Sequence, residues 1–196
     1  MGRPLFFIFI IFFLIIFASA TNVSVSVSTY QAEASSVNVL YFENGPLSST
    51  THPAVNTQTV QPSVKGSTTI TRGSTDYLWS PKFTNGLSLP SGVLVVDFWA
   101  SGKKSGTFVV NATVTNSKGS PIVILGTSSV KLSTTKTEYV IDFPIHSTNI
   151  PPSGYISIAF SLPTGNSEPS SINVYWGASQ PTNFQIEEYV GGVGTK

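Results

Sequence analysis

Two histidines, His52 and His146, are the only side chains of this 196-residue chain whose ordinary titration lies near neutral pH. Either would need a carboxylate to orient it and a nucleophile to activate, and neither has such partners nearby. His52 stands in a proline-rich stretch, His146 follows an apolar run, and no G-x-S-x-G turn is present. Paired carboxylates fare no better: Glu187 and Glu188 are adjacent on a candidate strand and therefore face opposite ways. The expectation is a protein that is not an enzyme and needs no cofactor. Asp76, Asp97 and Asp142 could meet in a fold to hold calcium, but no D-x-D-x-D loop organises them, so no metal site is assigned.

What remains is binding chemistry. Trp79, Trp99, Tyr175 and Trp176 offer aromatic faces that either fill a core or stack against sugars. Trp99 extends an apolar strand, which leaves Trp79, Tyr175 and Trp176 as the candidate glycan platform. Tyr175 and Trp176 are strand neighbours, so they cannot both be buried in one layer. Two sequons, Asn22-Val23-Ser24 and Asn111-Ala112-Thr113, make Asn22 and Asn111 candidate glycan acceptors.

The elements that must position these residues are strands. Apolar runs of five to nine residues recur between Gly, Pro, Ser and Asn clusters, and none keeps a 3.6-residue period over a helical length. Expected strands cover Val23 to Tyr30, Val37 to Phe42, Thr68 to Thr71, Val93 to Ala100, Thr107 to Thr115, Ile122 to Gly126, Thr137 to Phe143, Tyr155 to Leu162, Ile172 to Trp176 and Phe184 to Val190. Alternation places Phe108, Val110, Ala112 and Val114 inward and Asn111 outward; Ile156, Ile158, Phe160 and Leu162 form a second inward row. The run Val93 to Val96 is apolar on both sides, as for a strand covered twice. Residues 45–65 hold Pro46, Pro53 and Pro62 with few large apolar residues, and read as a long loop. The expected fold is all-β: a two-sheet, jelly-roll-like sandwich of about ten strands.

Compartment follows from the ends and the composition. Arg3, thirteen apolar residues from Leu5 to Phe17 and then Ala18-Ser19-Ala20 form a secretory signal pattern over residues 1–20, too short for a membrane anchor. No basic-Gly pair precedes the apolar run, which disfavours a type IV prepilin. Residues 21–196 carry nine Lys/Arg against nine Asp/Glu, so neither nucleic acid nor an anionic membrane is an expected partner. Their 28 Ser and 22 Thr supply polarity without charge, and no Cys is available for a disulfide. The expected product is extracellular or cell-surface, with residues 21–36 a separate strand and linker, 37–190 the sandwich domain and 191–196 a tail.

Residues 22–30 put Val23, Val25 and Val27 in one row, ending at Tyr30. That row needs a groove, its own or a neighbour's. From Tyr41-Phe42 through Trp79-Ser80-Pro81, Gly92 to Ala100, Ile150-Pro151-Pro152-Ser153-Gly154-Tyr155 and Val174-Tyr175-Trp176-Gly177, the order of strands and turns resembles extracellular jelly-roll modules. Carbohydrate-binding modules and the C-terminal domain of X-Pro dipeptidyl-peptidase-like proteins are similar. Signal, lone strand, linker and Ser/Thr-rich Cys-free domain together resemble archaeal surface-filament subunits of the thread and bundling-pilus type, and more distantly TasA-type fibres. That resemblance implies a homopolymer joined by donation of residues 22–30, with Val23, Val25, Val27 and Tyr30 as plugs. The rival expectations are a secreted glycan-binding module and a cell-surface adhesive protein that does not polymerise.

Overall fold

The computed structural model describes residues 39–42, 56–59 and 61–188. Val23, Val25, Val27 and Tyr30, expected to act as donor-strand plugs, the sequon at Asn22, His52, and the segments 1–20, 21–36 and 191–196 lie outside them. The described residues contain thirteen strands and no helix: β1 (Leu40–Phe42), β2 (Thr57–Gln58), β3 (Gly66–Thr71), β4 (Thr75–Trp79), β5 (Leu87–Leu89), β6 (Gly92–Gly102), β7 (Gly106–Thr115), β8 (Pro121–Leu132), β9 (Thr137–Ile145), β10 (Thr148–Ile150), β11 (Tyr155–Ser161), β12 (Ser171–Trp176) and β13 (Asn183–Glu188). Accordingly, none of the described residues forms a helix long and apolar enough to cross a membrane.

Eight of these strands form a jelly roll. One sheet runs β3-β12-β6-β9 and the other β4-β11-β7-β8, every pairing antiparallel. The chain crosses between the sheets in the order that two Greek keys require, so the jelly-roll sandwich expected from the sequence is what the molecule adopts. The remaining strands add to the first sheet or form the separate β5-β10 pair.

One edge of β6 serves two partners. β13 pairs with it from Gly92 to Asp97, and β12 from Trp99 to Gly102, so the first sheet forks at Phe98. The β13 branch continues through β1 to β2, and the β12 branch through β3.

Alternation explains the core. Leu94, Val96, Phe98 and Ala100 of β6 are fully buried, facing Phe108, Val110, Ala112 and Val114 of β7 and Ile156, Ile158 and Phe160 of β11. At the centre, Phe98 from one sheet meets Phe160 edge-on at 5.3 Å and Phe108 at 5.9 Å from the other, while Phe108 and Phe160 stack at 5.7 Å. Such offset and edge-on pairs add about 0.5–1.5 kcal/mol each beyond their buried area. Close approach elsewhere depends on absent side chains. A Cβ on Gly66 would lie 2.0 Å from the Trp176 ring, and one on Gly126 would lie 2.2 Å from Phe143.

Three expectations need correction. The run Val93 to Val96 is central in its sheet but buried on one face: Val93 and Val95 are half-exposed, because among the described residues no layer covers the outer side of that sheet. Within residues 45–65, Thr57–Gln58 is a strand, β2, paired with β1. Strand β8 runs on to Leu132 instead of stopping at Gly126, and β4, β5 and β10 are strands where none was expected.

Candidate functional site

The outer face of the β4-β11-β7-β8 sheet carries a groove of about 590 Å³. Its floor is the outward row of each strand: Thr75, Tyr77 and Trp79 from β4, Ser157, Ala159 and Ser161 from β11, Asn111, Thr113 and Thr115 from β7, and Ile124 from β8. Beyond Tyr155, the outward residues of β11, Ser157, Ala159 and Ser161, are small, which deepens the middle of the sheet. The β7–β8 turn, Lys118 to Pro121, walls one side. Asn116 builds that turn, its Oδ1 accepting the backbone N–H groups of Lys118 at 2.8 Å and Ser120 at 3.0 Å.

Aromatic rings line the β4 side. Tyr77 and Trp79, two residues apart on one strand, stack at 5.5 Å with 25° between their planes, and Tyr155 meets Trp79 edge-on at 6.1 Å. Trp79 is 1% exposed, so the stack consumes its faces. Tyr77 is half-exposed and presents the ring available to a ligand. β4 lies at the edge of its sheet, yet it is held there: Asn56 donates to the Tyr77 carbonyl at 2.9 Å and accepts the Trp79 N–H at 2.7 Å, and the Thr57 hydroxyl donates to the Trp79 carbonyl at 2.8 Å.

The groove's chemistry is that of hydroxyls, one amide, one phenol and one ammonium. Among the described residues its lining contains no carboxylate and no imidazole. It therefore offers stacking and neutral hydrogen bonding, without the paired acid and base that hydrolysis of a glycosidic bond uses.

The residues singled out in the sequence distribute unevenly over this geometry. Trp79 and Asn111 both line the groove, but Trp79 serves as backing for Tyr77 instead of offering a free face. Trp176 is 7% exposed, packed edge-on against Phe42 at 5.7 Å and seated over Gly66, so it is a core residue and no platform. Tyr175 lies on the outer face of the other sheet, opposite Trp99. Its ring is covered by the Lys136 ammonium, 3.9 Å from the centroid, and its hydroxyl pairs with Ser101 at 2.9 Å. That cation–π contact leaves Tyr175 occupied. Asp76 sits on the sheet opposite to Asp97 and Asp142, so the three do not meet, and among the described residues no cluster of three His, Asp or Glu could hold a metal. His146 follows the end of β9, away from the groove lining.

Tyr77 is the residue that the sequence reading missed. Its signal was present: Thr75, Tyr77 and Trp79 alternate with Asp76 and Leu78, the pattern of a strand with both aromatics on one side. The carboxylate at an inward position hid it. Burial raises the Asp76 carboxyl above the ordinary carboxylate range.

No protein-family model matches the sequence, and no curated protein sequence matches it. Among solved structures, the chain is similar to a CocE/NonD family hydrolase from Staphylococcus aureus, at a TM-score of 0.60 and 11% identity over 79% of this chain. The chain spans 37% of that hydrolase's length. A carbohydrate binding module from Cellvibrio mixtus lichenase 5A, solved in complex with cellotriose, matches at a TM-score of 0.35 and 11% identity, covering 72% of this chain and 95% of that one. The likeness to the hydrolase concerns the fold alone.

Proposed function

We propose that the protein is an extracellular glycan-binding module that binds without turnover, its site the groove on the β4-β11-β7-β8 sheet. One observation carries this reading: a half-exposed tyrosine backed by a buried tryptophan, beside a floor of Ser, Thr and Asn side chains with no acidic group. A pyranose has an apolar C–H face that suits an aromatic ring and a rim of hydroxyls that suits neutral donors and acceptors. With Lys118 as the groove's lone formal charge among the described residues, the lining favours neutral polysaccharides over nucleic acids.

The test is retention of the full chain, made in a host without N-glycosylation, on cellulose, xylan, mannan and chitin. Saturable binding to at least one matrix is expected, with Tyr77→Ala, shown to be folded by its cooperative thermal transition, reducing it tenfold or more. Equal binding by wild type and Tyr77→Ala would remove the groove from consideration.

A different observation favours a second reading, the filament subunit. An apolar crevice of about 190 Å³ is lined by Leu40, Pro81, Phe83, Leu87, Phe184 and Ile186. A slot of this character suits the branched row Val23, Val25 and Val27 of a neighbouring copy. Burying three valines contributes about 1.5 kcal/mol or more each. Negative-stain microscopy of the secreted chain against a variant lacking residues 21–30 decides this reading: fibres that vanish with the deletion support it, and fibres in both, or in neither, overturn it.

A further inference from the structure

Asn111 and Tyr77 occupy one cross-strand row of the groove floor. Ala159 of β11 is the register partner of both, pairing with Asn111 on one side and Tyr77 on the other. At the usual strand spacing of about 4.8 Å, the two Cα atoms lie roughly 10 Å apart, with only a methyl group between them. Asn111 is also the first residue of the sequon Asn111-Ala112-Thr113, partly exposed on the outer face of β7. A sugar attached to its amide nitrogen therefore rises directly from the floor, above the gap that Ala159 leaves. A pyranose is about as wide as one strand spacing, so the first residue of such a glycan reaches the Tyr77 ring.

We propose that Asn111 is an N-glycan acceptor whose attached sugar lies over Ala159 against Tyr77, closing the groove of its own molecule. Modification then acts as a regulator: the glycosylated chain holds its own sugar at high effective concentration where a free polysaccharide would bind. The bond formed joins the Asn111 amide nitrogen to the anomeric carbon of a sugar supplied by a glycosyl-phospholipid donor, whose phosphate leaves and takes up the displaced amide proton. The regulatory part rests on the glycan-binding reading above; the position of the attached sugar does not.

The experiment secretes the full chain from insect cells, which attach N-acetylglucosamine-based glycans, and locates modification by peptide mass. Occupancy at Asn111 is expected, and an unmodified Asn111 would overturn the proposal. Release of the glycan from the native protein by peptide N-glycosidase is then timed. It should be at least tenfold faster in Tyr77→Ala and in Ala159→Gln, which fills the gap while keeping the tyrosine. Equal release rates in the wild type and in a variant whose folding is verified by its thermal transition would overturn the docked position. Finally, the wild-type chain made in a host without N-glycosylation should bind polysaccharide at least tenfold more tightly than the glycosylated chain. Equal, measurable binding by the two overturns the regulation, whereas absence of binding by the unglycosylated chain to every matrix overturns the glycan-binding reading and leaves the release rates to decide the docked sugar.

Discussion

Asn56 takes the place of a missing strand beside Trp79: its Oδ1 accepts the Trp79 backbone N–H at 2.7 Å while its Nδ2 donates to the Tyr77 carbonyl at 2.9 Å. An edge strand normally exposes these groups to water or to another chain. Here one amide side chain pairs with both, and so fixes the strand that carries the groove's aromatic stack. With a net contribution of about 1 kcal/mol per hydrogen bond, Asn56→Ala should lower unfolding stability by about 2 kcal/mol in urea titrations and weaken polysaccharide retention. Asn56→Asp keeps the acceptor and loses the donor, so it should fall between the two. A loss below about 0.3 kcal/mol for the alanine variant would contradict this role.

Asp97 should make the fold more stable in mild acid. Burial raises its carboxyl to about 6, repulsion from Glu138 adds to the shift, and the Asn183 amide opposes it. An unfolded aspartate titrates near 3.8, so between 3.8 and 6 the folded state holds a proton that the unfolded state has released. The contribution of this group therefore falls as pH rises through that window and is flat above it. The thermal midpoint should be higher at pH 5 than at pH 7.5, and Asp97→Asn should flatten the slope and raise the midpoint at pH 7.5. Asp76, shifted in the same direction, should leave a residual slope. An unchanged profile in Asp97→Asn would show that the carboxyl is adequately solvated.

Gly66 should resist the smallest enlargement. Its added methyl would meet the Trp176 ring at 2.0 Å, and that ring is wedged against Phe42, so the indole has to move. Overpacking of this kind costs typically about 1–3 kcal/mol. Gly66→Ala should show that loss in denaturant unfolding, and Gly66→Ala with Trp176→Leu should recover part of it relative to Trp176→Leu alone.

Arg72, the lone arginine of residues 21–196, binds two successive carbonyls, with Nε donating to Pro169 at 3.2 Å and Nη2 to Glu168. A lysine ammonium cannot reproduce that planar fork. Arg72→Lys should cost about 1 kcal/mol at constant charge, measured at high salt so that simple charge screening does not enter.

The fold was legible where one face is buried and long. Phe108 to Val114 and Ile156 to Leu162 alternate cleanly because each lies in the middle of a sheet with the core on one side only. β8 was read short because Thr127, Ser129 and Lys131 face solvent at a sheet edge, where little apolar surface has to be covered. β2, β5 and β10 span two or three residues, too few for any period to register. Trp79 and Asn111 were picked out by residue type, but the groove joining them was not, because β4, β7 and β11 come from distant parts of the chain and only pairing brings Tyr77, Ala159 and Asn111 into a row. The aromatic nature of Trp176 gave no hint that Gly66 would claim it for the core.

The fork at Phe98 makes β6 a ruler with two cursors on one edge. β12 and β13 run on the same side, joined by residues 177–182, where the Thr182 hydroxyl donates to the Tyr175 carbonyl at 2.6 Å. Neither strand can slide toward Phe98 without meeting the other. A two-residue slip toward Phe98, which would preserve inward and outward faces and so escape the usual hydrophobic check, is blocked here by collision. The first sheet thereby has a mechanical end-stop on the edge of β6 that β12 and β13 share.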